Sequence, residues 1–202
     1  MATLAAMPDA SATTRRYSLG AIAFHWVIAA LIVFNIWLGW RMDRITGLDR
    51  FTLFQLHKSI GITVLALSVL RLGWRLAHRP PPYPATMKPW ERVAATTTHW
   101  TFYGLMLVMP LTGWVIVSAS ALNLPTLLYK LIPLPHIGVV HDQPMPVRLA
   151  IENNVGTTHV YLAYLFGALI LLHIGAALKH QFVQHDGVLW RILPGRTARV
   201  SA

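Results

Sequence analysis

The chain has no cysteine. Disulfides, iron–sulfur clusters, thioether-linked haem and cysteine zinc sites are thereby excluded together, and any metal must rest on histidine. Carboxylates are nearly as scarce: Asp9, Asp43, Asp49, Glu91, Asp142, Glu152 and Asp186 are the 7 present in 202 residues. None falls within a long apolar run, whereas proton pumps and cation transporters hold such groups at membrane depth. Charged residues of all kinds make up 12% of the chain against 55% hydrophobic ones, with a mean hydropathy of +0.51. Such a balance excludes an ordinary soluble domain. No repeat of solenoid type is present.

Long apolar runs are abundant instead. They cover about 19–40, 54–77, 94–119 and 155–178, each near the length that crosses about 30 Å of hydrocarbon. The expected fold is an all-α, integral membrane four-helix bundle occupying 19–178. Residues 1–18, rich in Ala, Ser and Thr, are expected to be a disordered start. Residues 120–154 carry Pro125, Pro133, Pro135, Pro144 and Pro146, too broken to span, and are expected to form a cap with one short interfacial helix. In that cap His136 and His141 are expected to be solvated. Residues 179–202 read as an amphipathic tail. The Arg15-Arg16 pair before the first run resembles an export signal, but the length of the run, its Trp26, Trp37 and Trp40, and the lack of a small-residue cleavage site favour an anchor.

The net charge of +10 sorts with this topology. Of 17 Lys and Arg, Arg41, Arg44, Arg50, Lys58, Lys130 and Arg148 fall on one side and all the others on the side of the termini. The positive-inside rule then places both termini in the cytoplasm and the cap in the periplasm.

The last apolar run carries His159 and His173, 14 residues apart. On a helix that spacing leaves them about 40° apart in azimuth and about 21 Å apart in height. An unpartnered imidazole in hydrocarbon is costly, so each histidine should be bound to something. Because the helices alternate in direction, His25 of the first run shares the inner depth of His173, and His57 of the second shares the outer depth of His159. Paired imidazoles in apolar walls suit a six-coordinate haem iron better than zinc or a di-iron centre, which want oxygen or further ligands. Six-coordination leaves no open position, so the expected chemistry is electron transfer. Gly61, four residues after His57, would admit a flat cofactor or simply a neighbouring helix. Arg71 and Arg75 read either as snorkelling anchors or as a clamp for propionates. His99, alone on the third run, reads as a hydrogen-bonded or quinone-site residue rather than a ligand.

Several stretches carry a resemblance that covers about residues 15–195. They are His25-Trp26 after an Arg-Tyr-Ser start, Leu56-His57-Lys58-Ser59-Ile60-Gly61, Arg71 to Arg75 leading into prolines, His99, and His159 to His173. The ending Ala177-Leu178-Lys179-His180 through Asp186-Gly187-Val188-Leu189 to Leu193-Pro194 fits as well. The chain resembles the bacterial cytochrome b561 family, four-helix membrane cytochromes with two haems b. The resemblance implies that His25 and His173 ligate a haem on the cytoplasmic side and His57 and His159 one on the periplasmic side, matching the depth argument. It also implies an inner-membrane, multi-pass oxidoreductase that passes electrons to ubiquinone, with superoxide as the expected donor. A non-enzymatic relay, a cytochrome b subunit of a respiratory or hydrogenase-type complex, is the alternative, and a small four-helix transporter or metal-binding membrane protein using the histidines for zinc is the third. The long 120–154 connection, and Val160-Tyr161 where the family often has an acidic residue, set this chain apart. His99 and His180 are the candidates for delivering protons to quinone. The six outer cations are candidates for drawing in a small anion.

Overall fold

Four of the helices are long and apolar enough to cross a membrane. A computed structural model of the chain describes residues 16–195. Most of the expected disordered start, residues 1–15, and the end of the tail, 196–202, lie outside the described residues. Helix α1 runs Leu19–Met42, α2 Gly47–Ala77, α3 Pro89–Ala119 and α5 Met145–Lys179, with a one-turn α4 at Gly138–His141.

Three of the long helices, α2, α3 and α5, begin ahead of the apolar runs, in more polar sequence. In α3, Pro89 occupies the first turn, where its missing N–H is not needed, and the Glu91 carboxylate accepts from the Lys88 amide at 3.0 Å. In α5, Pro144 and Pro146 flank the first residue in the same way, so two prolines expected to break the cap instead begin a helix. Asp49 and Glu91 accordingly ride in first turns and Glu152 two turns into α5, rather than in loops. Pro110 lies inside α3, which continues through it.

The closest helix pairings are α1 with α2, α2 with α3 and α3 with α5. Their apolar core lies at mid-height: Ile28 and Ile32 of α1, Ile60 and Val64 of α2, Tyr103 and Met106 of α3, and Phe166 of α5. Spacings of four residues in α1 and α2 place each pair on one face. Backbone approaches of α5 to α1 and α2 are not of this close kind. These helices face one another through histidines.

The cap departs from the all-α expectation. It contains a two-stranded antiparallel hairpin, β1 Thr126–Leu128 with β2 Ile132–Leu134. Its turn uses Tyr129 at φ +50° and Lys130 at φ +63°, a left-handed backbone that costs free energy in residues with a Cβ. Bonds to α2 offset that cost. The Tyr129 amide donates to Ser59 Oγ at 2.9 Å, and the Tyr129 hydroxyl lies 2.8 Å from Thr63 Oγ1. Lys58 Nζ reaches the Pro125 carbonyl and Thr126 Oγ1. The hairpin is thus pinned beside His57.

His136 and His141 are half-buried rather than solvated. Their rings stack at 4.7 Å with 9° between planes, and His141 Nδ1 lies 3.2 Å from the Ser118 carbonyl. Burial pushes the His136 imidazole below its ordinary value, and His141, Lys58 and Arg148 push it the same way. A histidine whose docked pKa is lowered takes its proton more readily in the opened cap. Docking is therefore fully stable above about pH 6.5 and weakens as pH falls through that value. Amides of 132–141 are expected to exchange faster at about pH 5.5 than at about pH 7.5, after correction for intrinsic rates, and His136→Asn should flatten the difference.

At the other end the first and last described residues are tied together. The Tyr17 amide donates to the Arg191 carbonyl at 3.2 Å, Trp26 Nε1 to the Ile192 carbonyl at 2.8 Å, and Arg16 to the Leu193 carbonyl. Residues 16–18, expected to be loose, are therefore held. The tail folds back through a π-helical turn at His180–Gln184, and Asp186 returns its carboxylate to His180 Nδ1 and the Val188 amide. Buried Glu91 binds Lys179 Nζ at 3.0 Å and Gln184 Nε2 at 2.8 Å, closing the foot of α3 on the end of α5.

Candidate functional site

Two imidazole pairs stand at two levels of the bundle. Near the cap, the rings of His57 and His159 lie 6.3 Å apart, centre to centre, at 73° between planes. Near the termini, those of His25 and His173 also lie 6.3 Å apart, at 60°. These are the pairings expected from depth.

A metal held through one nitrogen of each ring, at about 2.0 Å per bond and with each nitrogen about 1.1 Å from its ring centre, would set the centres about 6 Å apart. Both pairs have that spacing. Each level pairs two imidazoles, short of the four ligands a bare zinc ion takes. Two imidazoles are what a tetradentate macrocycle would need from the protein.

The cap-end pair is further prepared by its outer contacts. His57 Nδ1 lies 3.0 Å from the Asn35 carbonyl, which can only accept. His159 Nδ1 lies 2.8 Å from Thr112 Oγ1, and the one proton of that hydroxyl goes to the Met109 carbonyl at 2.7 Å. Both Nδ1 atoms must therefore donate, which leaves both Nε2 lone pairs free for a metal. Glycines line the same level: a Cβ on Gly39 would come within 3.4 Å of His57 Cε1, and one on Gly113 within 3.6 Å of His159 Cε1. Gly61 does not share this role, since a Cβ there would meet Asn35 Nδ2 at 3.7 Å.

The termini-end level is built differently. Arg71 Nη2 lies 3.2 Å from His25 Nδ1, and the Arg71 and Arg75 guanidiniums sit 5.6 and 5.7 Å from the Tyr103 ring centre. Both arginines are half-buried, and Arg75 also lies 5.8 Å from the exposed Trp100 ring. His99 brings a third ring to 5.7 Å from His173, and Phe102 packs on His173 at 5.3 Å and on core Phe166 at 5.8 Å. His180 is buried nearer the foot, against Asp186.

A sequence model of the prokaryotic cytochrome b561 family matches residues 16–195. The chain belongs to this family. Its members are membrane electron-transfer proteins, and the family implies haem b. Among curated relatives, cytochrome b561 homolog 2 of Escherichia coli K12 is 30% identical over 90% of this chain and 93% of its own length. The probable superoxide oxidase CybB of Yersinia pestis is 25% identical over 89% and 97%. Cytochrome b562 of Cereibacter sphaeroides is 29% identical over 89% and 96%. Family and helices together make this a multi-pass bacterial membrane protein.

Thr112, Asn35, Gly39 and Gly113 escaped the sequence reading. Gly113 carried a signal, a glycine within an apolar run three residues past Pro110. Asn35 acts through its backbone carbonyl, which any residue has, so nothing in the sequence marks it.

Proposed function

We propose that this chain is a di-haem b oxidoreductase of the bacterial inner membrane that carries electrons from superoxide to ubiquinone. The observation that carries the reading is the two histidine pairs at 6.3 Å, stacked along one bundle. His57 and His159 hold the group at the cap end, and His25 and His173 the one at the termini end. When bound, the two haems supply one-electron storage at two depths.

The surrounding residues do the rest. Arg71 and Arg75 neutralise propionates at the termini end. The apolar core between the levels keeps water and protons away from the midplane. In the balanced reaction two superoxide anions each lose one electron and leave as dioxygen, while one ubiquinone gains two electrons and two protons. His99 and His180 are the nominated proton donors, and the Asp186 carboxylate lies against His180 Nδ1. The excess of cations at the termini end supports a cytoplasmic orientation of that end. The donor assignment draws on the name of the Yersinia pestis relative.

One observation favours a relay that takes electrons from a partner protein. Of the cations available to draw in an anion, Lys58 and Arg148 are bonded to backbone carbonyls, at 3.4 Å to Pro125 of the cap and 3.1 Å to Ala119 at the end of α3, and Arg44 lies 3.8 Å over the Trp40 ring. The first experiment is an absorption spectrum of purified protein, oxidised and dithionite-reduced, with haem counted per chain and superoxide then supplied with ubiquinone. Two low-spin b haems reduced rapidly by superoxide are expected. Two haems indifferent to superoxide would leave the relay, and a colourless protein would overturn both. Undiminished quinone reduction in His99→Ala or His180→Ala, with haem spectra intact, would remove that residue from the proton route.

A further inference from the structure

The two levels differ in what stands behind their histidines. At the cap end both Nδ1 atoms meet acceptors, the Asn35 carbonyl at 3.0 Å and Thr112 Oγ1 at 2.8 Å. At the termini end His25 Nδ1 faces Arg71 at 3.2 Å, and a guanidinium has no acceptor to offer. His173 touches the rings of His25, His99 and Phe102. Among the described residues it has no hydrogen bond at either ring nitrogen.

An acceptor at Nδ1–H draws that proton outward, makes the imidazole a stronger electron donor at Nε2, and favours the more oxidised state of a bound metal. A cation at the same place does the reverse. Thr112 is the side-chain member of the cap-end set. It also holds its lone pair in one direction, because the Met109 carbonyl at 2.7 Å fixes the hydroxyl proton. Gly113 beside it leaves the His159 ring room to stand against α3, with only 3.6 Å between His159 Cε1 and the place a Cβ would take.

We infer that Thr112 is a positioning residue for His159: by accepting from its Nδ1–H it fixes the ring with Nε2 toward His57 and holds the cap-end haem at a lower midpoint potential than the termini-end haem. Electrons entering at the cap then run downhill toward the end where His99 and His180 lie. This rests on the di-haem reading above, and the test separates the two.

The test is a potentiometric titration of the purified holoprotein beside Thr112→Val, which keeps the shape and loses the hydroxyl, and Thr112→Ser, which keeps the hydroxyl. His173→Ala, retaining the cap-end group alone, assigns the two waves. In Thr112→Val the lower wave is expected to move upward toward the other, which stays in place, with two haems per chain preserved. Thr112→Ser is expected to titrate like the parent. Loss of the cap-end haem from Thr112→Val, with retention in Thr112→Ser, also supports the proposal, since the two variants differ at the hydroxyl. Unmoved waves in Thr112→Val, equal shifts of both waves, or identical behaviour of the two variants would overturn it. Absence of haem from the parent protein would instead overturn the di-haem reading, a different outcome read before any titration begins.

Discussion

Replacing His159 by alanine is expected to cut bound haem from two per chain to one and leave the termini-end group in place; His173→Ala should do the converse, and the double variant should bind none. Helix α5 faces α1 and α2 through these two residues, whose rings stand 6.3 Å from those of His57 and His25. A pair that loses one imidazole would offer a bound haem a single nitrogen, and a low-spin spectrum needs two. His57→Ala and His25→Ala should match their partners. His99→Ala is the control that gives this experiment its force. Its ring lies 5.7 Å from His173, so a count based on proximity alone would make it a ligand too. Two haems are expected to remain in His99→Ala. Pyridine haemochrome quantification per chain reads the whole series, and loss of haem in His99→Ala would reassign the termini-end pair.

The second large effect is expected at Gly20. A Cβ there would fall 2.6 Å from Trp74 Cζ2 and 2.8 Å from Cε2, far inside contact distance. The indole has little freedom to withdraw. Its Nε1 donates to Ser18 Oγ at 3.0 Å, the residue that also caps α1, and its ring stacks on His78 at 4.1 Å and 11°. Overpacking at such a place costs about 1–3 kcal/mol. Gly20→Leu is expected to reach at least the top of that range, since α1 and α2 must part where His25 and Arg71 meet. Thermal unfolding followed by the haem band should show a lowered midpoint, with the termini-end haem released before the cap-end one. Trp74→Ala in the same chain should restore part of the loss by making room. A midpoint unchanged in Gly20→Leu would mean that the α1–α2 contact is looser than these distances state.

The two predictions rest on kinds of information that the sequence holds unequally. Four spans were legible because apolar length is a property of consecutive residues, and lipid makes it decisive. The pairing of His25 with His173 and of His57 with His159 was legible too: alternation of helix direction sorts each histidine by depth, and a scarcity of other metal-binding side chains left few rivals. Prolines misled. Pro144 and Pro146 break a helix interior but begin one equally well, and only the position of α5 decides between these uses. The hairpin at Thr126–Leu134 was hidden because its turn residues, Tyr129 and Lys130, are not those that favour positive φ. Tyr129 is held through its amide by Ser59 and through its hydroxyl by Thr63, 70 and 66 positions earlier.

By itself, then, the sequence determined a four-span membrane bundle with histidines at two depths, since composition and direction along the chain suffice for both. Tertiary structure alone decided which groups stand behind those histidines. It set Thr112 and the Asn35 carbonyl at the cap end and Arg71 at the other. It also set Arg71 and Arg75 beside the Tyr103 ring. The reason is geometric: a hydrogen bond is made or lost within a few tenths of an ångström and a few tens of degrees, and that precision comes from the rotation of each helix against its neighbours, which no local pattern encodes.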